Sequence, residues 1–381
     1  MTVRLVLAVS LVLLAACSHE GAGGDAQQPS ANVGLRYLRT QDDPRFAKAN
    51  EPRRLVFPAD HGSHPQFRTE WWYFTGNLAS TDGSLYGFEL TFFRVGLRPP
   101  ETDSPRRSAW AKNQIWMAHL ALTDAAKQRF VARERIAREA LDVAGTEQAP
   151  TRVWVKGWSA ARADDGEHEH WRLSARDEDI GLQLSLATDE APVLNGEVGL
   201  DRKGPAPGNA SYYYSLPRLA TTGVLELDGR AVAVQGSAWM DREWSTSALG
   251  DDVVGWDWFG LRLSDGGSLM FYRLRRQDGT ADAFSGGMLV DGAGRARRLG
   301  RDDVELTPID YWTSSLRGTR YPIAWRLKAP SAQLALEIRP YVPDQELNLS
   351  VRYWEGAVRG DGTGPGGSHM AAEGYLELAG Y

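Results

Sequence analysis

The chain has 381 residues, with 43 Lys and Arg against 49 Asp and Glu, a formal net charge of −6 and one cysteine. This mild acidity argues against nucleic acid or another polyanion as a partner. A single cysteine rules out a disulfide framework within the chain.

Residues 1–17 read as a targeting element, with Arg4 as the positive end, Leu5 to Leu14 as the apolar core and Leu14-Ala15-Ala16-Cys17 as the cleavage region. Cys17 stands where the bacterial lipoprotein pattern places the residue that is diacylated. It is the expected lipidation site, and acyl chains there would hold the protein on a membrane surface. No later stretch has the roughly 18 apolar residues that a spanning helix needs. The expected address is therefore the bacterial cell envelope, at the periplasmic face of the outer membrane. Residues 18–50, rich in Gly, Ala, Gln and Ser, read as a flexible tether.

Strand signals dominate the rest. Tyr73 to Leu78 and the alternating run Leu85 to Phe93 flank Asp82-Gly83, which predicts a hairpin. Further strands are expected at Gln114 to Thr123, Arg152 to Ala160, His170 to Ala175 and Ile180 to Ala187. Ala126 to Ala140 reads as the one candidate helix, although its uneven periodicity also suits strand and loop. Gly223 to Val234 is an Asp-Gly hairpin, and Asp257 to Leu263 with Ser268 to Leu274 forms another. Strands at Trp325 to Leu327, Leu334 to Arg339, Leu347 to Tyr353 and Gly374 to Leu378 complete the chain. The roughly 330 residues beyond the tether exceed the size at which one core usually stops growing. The pattern predicts an all-β protein of two antiparallel barrels packed together, residues 51–218 and 219–381.

Three distant segments set tryptophan beside a carboxylate: Glu70-Trp71-Trp72-Tyr73, Asp241-Arg242-Glu243-Trp244 and Tyr353-Trp354-Glu355. A carboxylate drawn into an indole-rich, desolvated setting must find donors or a cation, or stay protonated. In a strand Glu70 and Trp72 share one face and Trp71 and Tyr73 the other. Glu70 is either an acid with a raised pKa or a structural partner of Arg68, Arg94 or Arg242. Trp239, Asp241 and Glu243 share a face opposite Met240, Arg242 and Trp244, which suits either proton sharing and cation binding or a buried ion-pair network. Trp258, Tyr213 and Tyr272 lie in aromatic strands expected to line a cavity.

His61, His64, His119, His168 and His170 lack a third ligand at metal spacing, so no metal is expected. Walker, Rossmann and Gly-x-Ser-x-Gly patterns are absent, so no cofactor and no serine triad are expected.

His61-Gly62-Ser63-His64 through Glu70-Trp71-Trp72-Tyr73-Phe74-Thr75-Gly76-Asn77-Leu78 resembles the opening signature of the AttH and carotenoid 1,2-hydratase (hydroxyneurosporene synthase) group of lipocalin-like secreted hydrolases. Tyr212-Tyr213-Tyr214-Ser215, the segment Gly236 to Trp244, Tyr353 to Ala357 and Gly374 to Leu378 resemble its later blocks in the same order. The resemblance spans about Leu55 to Tyr381. It implies two lipocalin-like barrels with a ligand site in or between them. In the hydratase branch it also implies acid-catalysed addition of water to a terminal alkene of an acyclic carotenoid. The hydratases carry histidine and asparagine around the matching Asp and Trp, where this chain has Arg242 and Glu243, so only Asp241 and Trp244 carry over.

The expected function is binding of an apolar, lipid- or isoprenoid-like molecule with hydration or hydrolysis by a carboxylic acid, or binding and carriage alone. The expected acids are Asp241, Glu243 and Glu70, with Trp72, Trp239, Trp244, Trp258, Tyr213, Tyr272 and Arg242 around the ligand.

Overall fold

The computed structural model describes residues 43–99, 113–163, 169–246, 249–250 and 252–381. Cys17, the targeting segment, most of the tether and His168 lie outside the described residues. Residues 43–50, expected to belong to the tether, instead pack on the body. Phe46 and Ala49 are buried, and the Ala47 N–H donates to the Gln66 carbonyl at 2.9 Å.

The first sheet has 13 strands. They are β1 (Thr69–Ser80), β2 (Leu85–Gly96), β3 (Gln114–Asp124), β4 (Arg129–Arg138), β5 (Ala144–Gln148), β6 (Thr151–Val155) and β7 (Trp158–Arg162). β8 (Glu169–Asp177), β9 (Ile180–Thr188), β10 (Val193–Leu194), β11 (Leu200–Arg202), β12 (Ala210–Leu227) and β13 (Arg230–Ser245) follow. The second sheet has 10 strands. They are β14 (Val253–Leu263), β15 (Ser268–Arg276), β16 (Gly286–Val290), β17 (Ala296–Gly300), β18 (Glu305–Thr313), β19 (Arg320–Ala329), β20 (Leu334–Pro340), β21 (Glu346–Asn348), β22 (Arg352–Thr363) and β23 (His369–Ala379). The protein is all-β, with two large antiparallel sheets curled into packed, nearly closed barrels.

Two sequence expectations need correction. Arg129–Arg138 is a strand, β4, and no helix forms over 126–140, because the run pairs along the whole length of β3. It lies at the end of the sheet order, and its arginines protect that edge from further pairing. The second correction concerns the boundary between barrels. Residues 218 and 219 lie inside β12, which pairs with β9 and β13 in the first sheet. The chain changes sheet between β13 and β14 instead. The β12–β13 hairpin is the central element that lets the first barrel curl, so a boundary within it would split a ladder running from Ser211↔Ser245 to Leu227↔Arg230.

Central strands are buried on both faces. On β1, Trp72, Phe74 and Leu78 enter the first barrel, where they meet Trp116, Trp158 and Trp171, each at most 1% exposed. These side chains fill the lumen. In the second barrel Phe259, Trp325 and Trp354 do the same. The opposite faces of β1, β12 and β13 pack against β14, β15, β22 and β23 through Tyr73, Tyr213, Trp239, Trp258, Tyr272 and Tyr375. The Asn77 side-chain amide donates across this junction to the Gly374 carbonyl at 3.2 Å. Gly87 permits the approach, since a Cβ there would lie 2.6 Å from the Ala357 Cβ.

Candidate functional site

Where these two faces diverge they enclose a cavity of about 400 Å³, within the roughly 300–1,000 Å³ range of small-molecule sites. The pleat decides what lines it. From the first sheet come Trp71, Tyr73, Glu89, Tyr213, Asp241 and Glu243, and from the second Trp256, Trp258, Tyr272, Tyr353, Glu355 and Glu377. This cavity lies between the barrels, whereas buried indoles pack inside each of them.

Asp241, 4% exposed, is held by three donors. Its Oδ1 accepts from the Trp239 indole at 2.7 Å and the Ser215 hydroxyl at 2.6 Å, and its Oδ2 faces the Tyr213 hydroxyl at 2.5 Å. Ser215 itself receives the Asn195 amide N–H at 2.9 Å, so its proton points at Asp241. Burial pushes the Asp241 carboxyl up to about 7 against the pull of these hydrogen bonds. With Oδ1 saturated by two donors, the proton of the neutral acid belongs on Oδ2. There it is shared with Tyr213, whose oxygen also accepts from the Trp258 indole at 3.1 Å. When Oδ2 carries the proton and donates to the phenol oxygen, the Tyr213 hydroxyl proton is released to turn into the cavity. Asp241 and Tyr213 thus form a hydrogen-bonded pair on the cavity wall.

Glu243 lines the same wall, but Lys203 is ion-paired to its Oε1. That lysine is almost fully buried, lies 3.8 Å from Asp201 and sits 5.2 and 5.4 Å from the ring centres of Tyr213 and Tyr272. Tyr272 donates to Asp201 at 2.8 Å, and burial pushes Asp201 up to about 6. In this arrangement Glu243 anchors a cation beside the Asp241–Tyr213 pair.

The expectation of Glu70 as an acid is overturned. Glu70 is fully buried and ion-paired to Arg94 and, at 2.5 Å, to Arg242. The His64 backbone N–H also reaches it, at 3.0 Å. Burial alone would raise this carboxyl, but the two guanidinium groups outweigh it and hold it well below the usual range. Such a group is ionised at any physiological pH and has no proton to give. Arg242 is equally enclosed, with its guanidinium 3.7 Å from the Trp72 ring centre. Trp72 donates to the His61 carbonyl at 2.9 Å, and Trp244 stacks on His64 at 3.8 Å. Trp72, Trp244 and Arg242 belong to the interior of the first barrel rather than to the ligand, because they point the opposite way from Asp241 along the pleat. Trp239 acts through Asp241. Of the expected ligand contacts, Tyr213, Trp258 and Tyr272 line the cavity.

Sequence reasoning passed over Glu89 and Glu377 as site residues, and singled out Glu355 only as part of a motif. Glu89 stands between Phe88 and Leu90 and Glu377 between Leu376 and Leu378, and an acid flanked by apolar residues in a strand was the available signal. Tyr353 from the second sheet donates to Glu89 on the first at 3.0 Å and meets His119 Nδ1 at 2.6 Å. The His119 Nε2 then meets Glu134 at 3.1 Å.

The fold and this cavity define the class: an all-β double barrel with a largely apolar pocket at the barrel junction, into which a few acids and tyrosines are set. The chain belongs to the AttH-like family, whose model matches residues 48–381. It is similar to an AttH protein of Nitrosomonas europaea at 36% identity, over 88% of this chain and 100% of that one, with a TM-score of 0.78. It also shares its fold with kievitone hydratase of Nectria haematococca, at 16% identity, over 88% and 98% of the two chains, with a TM-score of 0.65. No curated protein sequence matches it.

Proposed function

We propose that the protein is an envelope lipoprotein, anchored through Cys17, whose cavity binds an apolar, lipid- or isoprenoid-like molecule and adds water to it with Asp241 as the acid. The observation that carries the reading is the buried Asp241 carboxyl, raised to about 7 and hydrogen-bonded to a tyrosine on the cavity wall. Kievitone hydratase, a hydratase by name, shares the fold.

In the reaction, the Tyr213 hydroxyl gives its proton to an alkene carbon while Asp241 Oδ2 returns one to the phenol oxygen. The positive charge left on the other carbon lies against the faces of Trp258 and Tyr272, which stabilise cations. Water adds to that carbon, and the proton it sheds restores Asp241. The net change is one water across one double bond.

Extraction of the purified protein with organic solvent, followed by mass spectrometry, tests the binding half. A recovered isoprenoid or lipid is expected, and a protein stripped of any apolar molecule in repeated native preparations counts against it. With that molecule as substrate, Asp241→Asn is expected to lower turnover by about 10² to 10⁴-fold, the usual worth of a general acid. Undiminished turnover in that variant removes the assignment. Unchanged ligand affinity with no turnover in either protein favours carriage alone.

A further inference from the structure

The end of the cavity remote from Tyr272 has a different chemistry. Cross-strand pairing sets Tyr272, Trp258, Glu377 and Glu355 in one row across β15, β14, β23 and β22. On the facing sheet Asp241, Tyr73 and Thr91 form a row, with Glu89 two residues from Thr91. The carboxyls Glu89, Glu355 and Glu377 thus meet across the gap. Glu89 and Glu355 are 1% and 2% exposed, and Glu377 is half-buried with its surface on the cavity.

The charges acting on these groups are those of one another, of Asp241 and Glu243, and of His119. No lysine or arginine is among the largest of these, and Arg94, which also lines the cavity, is paired with Glu70. Arg352, on the same cavity wall, lies 4.0 Å from Glu346, and Lys203 is taken by Glu243. Burial, then repulsion from Glu89 and Glu377, raises Glu355 well above the carboxylate range. Burial likewise brings Glu377 up to about 8, even though the Trp256 indole donates to it.

Three polar atoms here have no hydrogen-bond partner: Glu89 Oε2, Glu355 Oε1 and the Tyr73 hydroxyl. Tyr73 is 7% exposed, and its hydroxyl approaches Glu355 without a well-formed hydrogen bond. Buried polar atoms left unpaired are rare in native proteins and call for an occupant. The aromatic residues Trp71, Phe93, Trp256 and Tyr353 line the same cavity. Acids inside an aromatic enclosure are the setting in which a cationic nitrogen is recognised, and a primary ammonium carries three N–H donors.

We propose that this end of the cavity binds the protonated amine of an amphiphilic ligand, with Glu89, Glu355 and Tyr73 receiving its N–H groups and its apolar body extending toward Asp241. The inference rests on the cavity being a ligand site, as under Proposed function, and specifies the headgroup. Without ligand, burial and their mutual repulsion favour the protonated carboxyls. An entering ammonium draws at least one of them to ionise, so binding releases a proton.

The test is calorimetric titration of the full-length protein with dodecylamine, dodecanol and dodecanoate, each below its aggregation concentration, from pH 6 to 9. Dodecylamine is expected to bind at least about tenfold tighter than the other two. Its affinity should rise as pH rises across this range, because the amine stays charged while the site gives up its proton. Buffers of different ionisation enthalpy should report one proton released. Glu355→Gln and Glu89→Gln should each abolish the preference for the amine while dodecanol binds as before. If these variants do not fold, the headgroup ranking and pH slope of the unaltered protein decide. Dodecanol or dodecanoate binding as tightly as the amine, or a flat pH profile, overturns the headgroup assignment alone. Failure of all three probes to bind overturns it together with the reading of the cavity as a ligand site.

Discussion

Replacing Asp241 by asparagine tests whether its carboxyl is kept neutral by the fold. The carboxyl titrates near 3.8 in an exposed chain and is raised to about 7 by burial in the native state. A group raised by folding contributes stability that is complete below its unfolded pKa and is lost as pH climbs to its folded one. Each pH unit of difference corresponds to about 1.4 kcal/mol. The three-unit gap makes the native state about 4 kcal/mol less stable at pH 8 than below pH 4 on account of this one side chain. Asparagine keeps the shape: its oxygen can accept from Trp239 and Ser215, and its amide can donate to Tyr213. Urea unfolding at intervals between pH 4.5 and 8.5 should therefore show the variant level with or below the native protein at the acid end. Its advantage should grow by about 1.4 kcal/mol per unit up to about pH 7, then stop. Curves that run parallel at all pH values would mean that the carboxylate is ionised in the native state, and Asp241 would lose its claim as the acid.

Glu70→Gln should destabilise the protein by about 3–5 kcal/mol, because it strands the buried Arg94 and Arg242 charges; a thermal melt unchanged within error would show that the pair is dispensable. Tyr213→Phe removes the hydroxyl paired with Asp241 and should lower turnover of the extracted ligand by at least about tenfold, with ligand affinity nearly unchanged. Equal losses in binding and turnover would instead make Tyr213 a contact residue. Activity should fall as pH rises through about 7, the value of the Asp241 acid, and a pH–rate profile that rises through this range would contradict acid catalysis. Cys17→Ser should move the protein from the membrane to the soluble fraction after cell lysis, and its retention with the membranes would refute the lipid anchor.

Much of the fold was legible. The hairpin of β1 and β2 follows from period-two alternation around Asp82-Gly83, and the long β12–β13 hairpin from Asp228-Gly229. β4 was not, because its alternating arginines and small apolar residues suit a solvent-facing helix as well as an edge strand, and only the open edge of β3 decides between them. The boundary at 218/219 failed for a related reason: length sets roughly how large a domain is, but hydrogen-bonded ladders decide where it ends.

Glu70 and Asp241 illustrate the division most sharply. Each is an acid in a strand beside tryptophan, and the sequence determined that both would be buried, since an apolar strand carries its acids inward with it. The same alternation determined that Trp239, Asp241 and Glu243 would share a face. The tertiary structure alone decided their chemistry. Glu70 meets guanidinium groups 24 and 172 positions away, so it is ionised and inert. Asp241 meets two hydroxyls and an indole but no cation, and burial raises its carboxyl to about 7. A carboxyl's pKa depends on which charges lie within a few ångströms of it, and that distance is set by which strands pair and in what register, which local sequence does not encode.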